Sequence, residues 1–281
     1  MMPGATRRVL PRSDRLARRF EELGAERRTG LIPFLTCGDP SPGFTEKAIR
    51  LLDRPGTAAI EIGVPFSDPL ADGPTIQRAS ERALAAGATL EKTIGLVARL
   101  RGEIAAPIVL MSYVNPILRF GVERFADEAS EAGVDAVIAT DLPLEESAAW
   151  RAVLRDRGIG TVFLAAPTSP LERIARIARA CTAFLYYVSR TGVTGARRSL
   201  ENGLARRLAE VRARTKKPLA VGFGVSRPEH ARALAPHADA VVVGSALVRA
   251  IESARSDRER FAALEREVGA LLEALAPGRK R

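Results

Sequence analysis

Short apolar runs alternate along this chain with longer segments in which apolar and charged residues recur at helical spacing. The apolar runs are rich in Val, Ile, Leu and Phe. They are continuous rather than alternating, which is typical of parallel strands covered on both faces. Eight such runs predict eight strands, at 31–38, 58–65, 107–113, 136–141, 161–166, 183–189, 218–224 and 240–247.

The segments between these runs predict helices, and two of them have a Pro near the start, as helices often do. An additional opening segment, 13–27, has Leu16, Phe20 and Leu23 on one face and predicts an extra helix that closes the bottom of a barrel. The helices predicted between the strands span 44–53, 75–102, 121–132, 145–157, 170–180, 201–214, 227–235 and 246–275.

Eight strand–helix repeats within about 250 residues predict an α/β protein, a single (β/α)8 TIM barrel with an extra N-terminal helix. An open doubly wound sheet is the alternative, but it rarely has eight such even repeats, and no GxGxxG motif opens the first unit. No linker rich in Gly, Ser or Pro divides the chain. We therefore expect a basic arm (1–12), one catalytic barrel (13–276) and a basic tail (277–281).

Composition narrows the class of protein. The chain has 281 residues, 46% hydrophobic and 27% charged, which is typical of a globular protein. The net charge of +10 is spread over the chain without interleaved aromatic residues, so it favours an anionic substrate over nucleic acid. The longest charge-free run, 104–118, contains prolines and is too short to span a membrane. Since no secretory signal is apparent either, we expect a cytoplasmic protein.

Cysteine and histidine usage argues against two kinds of site. Cys37 and Cys181 both lie beside apolar runs, and two cysteines make no disulfide framework. His230 and His237 are not clustered with other metal-binding side chains, so we expect no metal site.

Two carboxylates bracket the end of the second predicted strand. Glu61 lies inside an apolar run, where a charge is costly to bury and is usually kept because its proton is used. Asp72 lies on the following Pro/Gly-rich loop, so the two acids can meet at one mouth as an acid/base pair. The structural alternatives are an ion pair for Glu61, and turn capping for Asp68 and Asp72.

Glycines at the ends of the seventh and eighth strands suggest a phosphate site. Gly222-Phe223-Gly224 and Gly244-Ser245 each precede a predicted helix, where backbone N–H groups and the helix dipole favour an anion. In a barrel these are the usual loops for phosphate. The loop after strand six, 189–198, adds small residues and bases.

Four other polar residues lie near strand ends and can line a pocket, although each is also common at a barrel mouth: Tyr113, Asn115, Asp141 and Tyr186. Trp150 lies on the helix after strand four and is interpreted as a packing or surface residue. No Lys lies at a strand end, which disfavours Schiff-base chemistry.

Taken together, these motifs resemble the tryptophan synthase alpha subunit family, from Leu31 to about Ile251. The resemblance is carried by LIPFLTCGDP (31–40), EIGVPFSDPLADGPTIQ (61–77), SRTGVTG (189–195), and Gly222-Phe-Gly with Gly244-Ser. It implies retro-aldol cleavage of indole-3-glycerol phosphate to indole and glyceraldehyde 3-phosphate, without a cofactor in this chain. The Arg-rich arm, the basic tail and the high net charge depart from the usual family pattern.

The resemblance also implies residue roles. Glu61 resembles the general acid/base, and Asp72 resembles the carboxylate that accepts the indole N–H. The residues expected to bind the substrate are Phe34, Ile76, Tyr113 and Phe223 around the indole, Tyr186 beside Glu61, and Thr194 on the loop that closes onto Asp72. Those expected at the phosphate are Gly195, Gly224, Gly244 and Ser245.

Family membership further implies a beta subunit that holds pyridoxal phosphate, with an α2β2 complex expected. The positions that resemble contacts with it are Pro65, Asp68, Pro69 and Asn115. Two alternatives stay open from the sequence: a free-standing lyase that releases indole to another pathway, and a catalytically idle subunit that only activates its partner.

Overall fold

A computed structural model describes residues 12–189, 197–222 and 224–276. Its strands pair in parallel, in chain order, and close into a barrel, so the predicted fold is confirmed. The strands are β1 (Gly30–Thr36), β2 (Ile60–Gly63), β3 (Ile108–Ser112), β4 (Ala136–Ala139), β5 (Gly160–Ala165), β6 (Leu185–Val188), β7 (Leu219–Gly222) and β8 (Ala240–Val243).

Helices follow the strands and surround the barrel. They are α1 (Arg12–Ala25), α2 (Pro42–Leu52), α3 (Pro74–Ala85), α4 (Leu90–Leu100), α5 (Val114–Phe120), α6 (Val122–Ala132), α7 (Ala148–Asp156), α8 (Leu171–Ala180), α9 (Arg197–Arg212), α10 (Pro228–Leu234), α11 (Ser245–Ser253) and α12 (Asp257–Ala274). A 3₁₀ turn lies at Leu144–Glu146.

The prediction of a single helix over 75–102 is wrong, because the chain turns between α3 and α4. Gly87 adopts a left-handed conformation with φ of 77°, which a residue with a Cβ rarely adopts. The Thr89 side chain then accepts a hydrogen bond from the Lys92 N–H and caps α4. Both features are standard signals for ending one helix and starting another.

The helix predicted over 246–275 is also two helices, because Ser256 caps α12 through the Glu259 N–H. The eighth strand is shorter than predicted, since the apolar run continues into α11, where Leu247, Val248 and Ile251 face the core at helical spacing. Helix α5 was not predicted. It lies in the connection between β3 and α6.

The barrel interior is filled from both the strands and α1. Inward-facing residues such as Ile32, Val109 and Ala220 cluster with the α1 side chains. The Phe20 and Phe184 rings lie 5.9 Å apart between centroids. The predicted closure of the barrel bottom by α1 is therefore confirmed, and it leaves the carboxyl ends of the strands as the open mouth. The α1 residues that cluster with this interior are Leu16, Phe20 and Leu23.

An ion-pair cluster fastens α1 to the barrel. Asp135, which is fully buried just before β4, accepts hydrogen bonds from Arg15 Nε at 2.6 Å and from the Ile108 N–H at 2.8 Å. Arg101 Nη1 lies 3.3 Å from the same carboxylate. Burial raises the pKa of Asp135, and Arg15 opposes that effect. The bottom of the barrel is thus held by directional as well as apolar contacts.

Both cysteines are free and buried, and burial raises the pKa of Cys181 to about 12. Trp150 is buried, and its ring stacks on that of Phe125 at 5.8 Å, so of the two predicted alternatives, packing and surface, it is a packing residue. In the described part of the chain, no helix is long and apolar enough to cross a membrane.

Candidate active site

Glu61 lies in the middle of the barrel wall. Its strand β2 pairs with β1 and β3, so that Glu61 lies opposite Phe34 on one side and Val109 on the other. The residue is only 1% exposed, and its Oε2 has no hydrogen-bond partner among the described residues. Burial, together with the negative charge of Asp72, raises the pKa of Glu61 to about 8. At neutral pH this carboxyl group therefore carries a proton.

Asp72 lies at the end of the loop that leads from β2 into α3. The loop turns back on itself, since the Asp72 N–H donates to the Pro69 carbonyl at 2.9 Å. Tyr113 Oη donates to Asp72 Oδ2 at 3.0 Å and accepts from the Ala71 N–H at 2.9 Å. Gln77 Nε2 donates to the Asp72 carbonyl at 2.9 Å. These bonds fix the carboxylate over the mouth.

Burial raises the pKa of Asp72 to about 6, and the hydrogen bond from Tyr113 opposes this rise. Asp72 is therefore mostly ionised at neutral pH while Glu61 is mostly protonated. Two carboxyl groups whose environments separate their pKa values in this way can act as an acid and a charge stabiliser in one site. The negative charge of Asp72 reaches Glu61 electrostatically, so the two belong to the same site.

An apolar wall stands beside the two acids. Phe34, Ile76, Ala79 and Val248 form one buried cluster, and Met111 packs against it. Glycines on the two neighbouring strand ends make room for the Phe34 ring. A Cβ atom on Gly63 would lie 2.5 Å from Phe34 Cζ, and one on Gly244 would lie 3.2 Å from Phe34 Cδ1.

Tyr186 lies on β6 across the barrel and is 5% exposed. Its pKa is raised well above the ordinary value by burial first and then by the charges of Glu61 and Asp72. It therefore belongs to the same electrostatic environment as the two acids. A Cβ on Gly222 would collide with the Tyr186 hydroxyl, which explains the glycine at the end of β7.

Two of the glycines predicted for phosphate, Gly224 and Gly244, lie at the barrel mouth. Gly224 follows β7 with φ of 81° and is exposed. Gly244 is the N-cap residue of α11, and Ser245, the first residue of that helix, is exposed. The positive end of the α11 dipole thus points to solvent at the mouth, as an anion site requires.

Thr194, Gly195 and Phe223 lie outside the described residues. Of the positions proposed to face a partner, Asp68 and Asn115 are exposed, Pro69 is half-buried, and Pro65 is buried. The Asp141 carboxylate accepts from the Val114 N–H at 2.7 Å and so serves as a structural bond at the start of α5.

Thr36 was not identified as a candidate site residue from the sequence. It is buried at the end of β1, and its hydroxyl has no hydrogen-bond partner among the described residues. Side chains alternate along a strand, so Thr36 faces the same side as Ile32 and Phe34, toward the interior. That alternation, counted from Phe34, is the signal that could have found it. Met111 was missed as well, because it reads as an ordinary apolar strand residue.

Within the described ranges, no group of three or more His, Cys, Asp or Glu side chains is placed to hold a metal ion. A closed parallel barrel with two acids of separated pKa at its mouth, beside an apolar wall and exposed glycine-rich helix starts, defines a (β/α)8-barrel enzyme of the acid–base type.

Comparison with known proteins shows the family of enzymes to which this barrel belongs. The family model for the tryptophan synthase alpha chain matches residues 20–276, and the chain belongs to that family. The tryptophan synthase alpha chain of Geobacter sp. (strain M21) is 48% identical over 264 residues, covering 94% of this chain and 97% of that protein. That of Solibacter usitatus is 49% identical over 238 residues, covering 85% and 89%.

Solved structures agree. The tryptophan synthase alpha chain of Legionella pneumophila superposes with a TM-score of 0.84 at 35% identity, covering 93% of this chain and 97% of that one. Tryptophan synthase from M. tuberculosis gives 0.83 at 34% identity, covering 94% and 99%. The present chain is accordingly a carbon–carbon lyase of tryptophan biosynthesis that cleaves indole-3-glycerol phosphate to indole and glyceraldehyde 3-phosphate.

Proposed function

We propose that Glu61 and Asp72 perform this cleavage as a complementary pair. The protonated Glu61 donates its proton to C3 of the indole ring. The ring nitrogen then carries positive charge, and the ionised Asp72 accepts the N–H and stabilises that charge. Glu61, now a carboxylate, takes the proton of the glycerol hydroxyl next to the scissile bond.

The carbon–carbon bond is broken in the next step. The O–H electron pair forms the carbonyl of glyceraldehyde 3-phosphate, and the electrons of the broken carbon–carbon bond return to the indolenine ring and restore indole. Glu61 regains its proton, so the proposed reaction balances without a metal or an organic cofactor in this chain. The observation that supports this assignment best is that the buried Glu61 carboxyl group has a pKa of about 8 and an oxygen with no partner among the described residues, beside an acid with a pKa of about 6.

The remaining candidate residues divide between the two ends of the substrate. The residues proposed to surround the indole are Phe34, Ile76, Tyr113 and Phe223. Tyr186 is proposed to shape the pocket beside Glu61, and Thr194 to close its loop onto Asp72. The phosphate is bound through backbone N–H groups and a hydroxyl at the helix starts. The residues proposed for it are Gly195, Gly224, Gly244 and Ser245.

The roles of the acids are tested by measuring indole release from indole-3-glycerol phosphate. Glu61→Gln removes the proton donor and is expected to lower kcat by at least about 100-fold, the size of an acid–base contribution. Asp72→Asn is expected to lower it as well. The control is Glu131→Gln, an exposed glutamate of α6. Full activity in Glu61→Gln would overturn the assignment.

We further propose that the chain works in the cytoplasm with a beta subunit that holds pyridoxal phosphate, in an α2β2 complex. Exposed apolar residues support a partner surface near the mouth, since Leu70 is 92% exposed on the β2–α3 loop and Leu118 is 59% exposed on α5. The contacts proposed are Pro65, Asp68, Pro69 and Asn115. Indole release should rise sharply when a beta subunit is added. Fast release without it would favour a free-standing lyase.

A further inference from the structure

Three segments of the chain meet at one arginine of α3. Arg82 Nε and Nη2 donate to the two oxygens of Asp39, at 2.7 and 2.9 Å, and Arg82 Nη1 donates to Glu252 Oε1 at 2.8 Å. Asp39 lies on the β1–α2 loop and Glu252 lies near the end of α11. We call these three residues the Arg82 bridge.

The bridge is charged and directional. Asp39 is buried, so its two oxygens are satisfied mainly by the planar guanidinium fork, a pairing that Lys cannot reproduce. The pKa of Glu252 is lowered to about 2, first by its hydrogen bonds to Arg78 and then by those to Arg82. Arg78 donates to both Glu252 oxygens at 2.8 and 2.9 Å, which adds a second link between α3 and α11.

Two of the bridged segments lead to different parts of the candidate site. Helix α3 starts two residues after Asp72, and Arg82 lies eight residues further on, roughly 12 Å along the axis. Helix α11 starts at Ser245, and Glu252 lies seven residues further on, roughly 10 Å along the axis. Arg82 thus joins the two helices at about the same distance from their ends at the mouth.

An apolar contact also joins these helices. It is made by Ile76, Ala79 and Val248 around Phe34. The hydrophobic effect behind such contacts is non-directional, so by itself it does not specify how far one helix slides along the other. The charged forks supply that missing constraint, because each requires its partner at one distance and angle.

We propose that Arg82 is a positioning residue that fixes the spacing between the Asp72 end of α3 and the phosphate end of α11. This inference rests on the proposed roles of Asp72, Gly244 and Ser245. One substrate must reach both ends at once, with its indole at Asp72 and its phosphate at α11. A shift of one helix against the other therefore weakens phosphate binding and misplaces Asp72 together.

The test uses Arg82→Gln and Arg82→Lys, with Glu252→Gln to break only the α3–α11 arm and Asp39→Asn to weaken only the loop arm. Arg50→Gln is the matched control, since Arg50 also joins two carboxylates, Glu46 and Glu103, but in an exposed position on α2. For each variant kcat and KM for indole-3-glycerol phosphate are measured, together with the Kd of glycerol 3-phosphate by calorimetry and the thermal unfolding curve. All activity is measured at temperatures well below the unfolding transition of each variant.

We expect Arg82→Gln to lower kcat/KM by about tenfold or more, with both a raised KM and a lowered kcat, because misplacement of about 1 Å is costly in catalysis. The Kd of glycerol 3-phosphate should rise in parallel. The constants of Arg82→Lys should lie between those of the wild type and those of Arg82→Gln. Glu252→Gln should show the same rise in the Kd of glycerol 3-phosphate. Arg50→Gln should leave all three constants unchanged.

A variant that loses thermal stability while it keeps kcat, KM and Kd would show a purely structural bridge and overturn the proposal. If Arg82→Gln does not fold, Arg82→Lys and Glu252→Gln decide by the same constants. Wild-type chain that neither releases indole nor binds glycerol 3-phosphate would instead contradict the proposed function, so the two failures are distinguishable.

Discussion

Replacing Glu61 by Gln should make the protein more stable at neutral and alkaline pH, at the expense of activity. Glu61 is fully buried in β2, and its Oε2 lacks a partner among the described residues. The ionised carboxylate is therefore costly in the folded state. Gln has nearly the same shape and carries no charge at any pH, so the substitution isolates the cost of ionisation.

The size and sign follow from proton linkage. Folding raises the pKa of Glu61 from 4.5 to about 8. Below pH 4.5 the group is protonated in both states and costs nothing. Between these values the folded state binds more protons than the unfolded state, so stability falls as pH rises. At about 1.4 kcal/mol for each pKa unit, the loss relative to Gln is about 3 kcal/mol at pH 7 and approaches about 5 kcal/mol above pH 8.

The assay is urea unfolding of the wild type and Glu61→Gln from pH 5 to 9. It is followed by far-UV circular dichroism and by the fluorescence of Trp150, the only tryptophan, which is buried against Phe125. The difference in unfolding free energy between the two proteins should grow steadily with pH and level off near pH 8. Glu131→Gln, on the exposed face of α6, should show no such trend.

A constant difference between Glu61→Gln and wild type over pH 5 to 9 would refute the reasoning, because it would mean that Glu61 does not change its proton binding on folding. The same result would remove the basis for treating Glu61 as the protonated acid at neutral pH. A difference that grows on acidification would point to a pKa lowered rather than raised by folding.

Three other predictions follow from the site and its supports. Tyr113→Phe removes the hydroxyl that lowers the pKa of Asp72, so the acid limb of the kcat–pH profile should move to higher pH, with the larger loss of activity near pH 6. Gly244→Ala would place a Cβ 3.2 Å from Phe34 Cδ1, so KM should rise several-fold while circular dichroism stays that of the wild type. An equal effect from Gly269→Ala, where the added Cβ meets nothing within 4 Å, would contradict this. Asp135→Ala leaves Arg15 and Arg101 without their carboxylate, so the unfolding free energy should fall by about 3 to 5 kcal/mol with little change in KM.

The barrel could be predicted from periodicity because its strands are buried on both faces and read as continuous apolar runs. The same signal failed where one residue changes the local conformation. Gly87 follows the end of one helix and Ser256 caps the start of another, each inside a segment that otherwise reads as a single long helix. At β8 the apolar pattern continues smoothly from the strand into α11, so hydrophobicity alone does not mark the boundary at Gly244.

The two acids could be placed at one mouth from the sequence, because Glu61 interrupts an apolar strand and Asp72 follows on its loop. The hydrogen bonds that hold the site together could not be predicted from the sequence. The contact of Tyr113 with Asp72 joins positions 41 residues apart, and the Arg82–Glu252 pair joins positions 170 apart. Such pairs depend on how the closed barrel brings helices together, and no local pattern encodes them.

The structure also explains why two carboxyl groups of the same kind can do different work. Glu61 belongs to a strand and is only 1% exposed, so burial, together with the charge of Asp72, raises its pKa to about 8. Asp72 belongs to a loop, where burial raises its pKa only to about 6 and a hydrogen bond from the Tyr113 hydroxyl opposes the rise. The difference comes from the elements that carry the two acids rather than from the acids themselves. Moving either carboxylate to the other's environment would therefore exchange their protonation states.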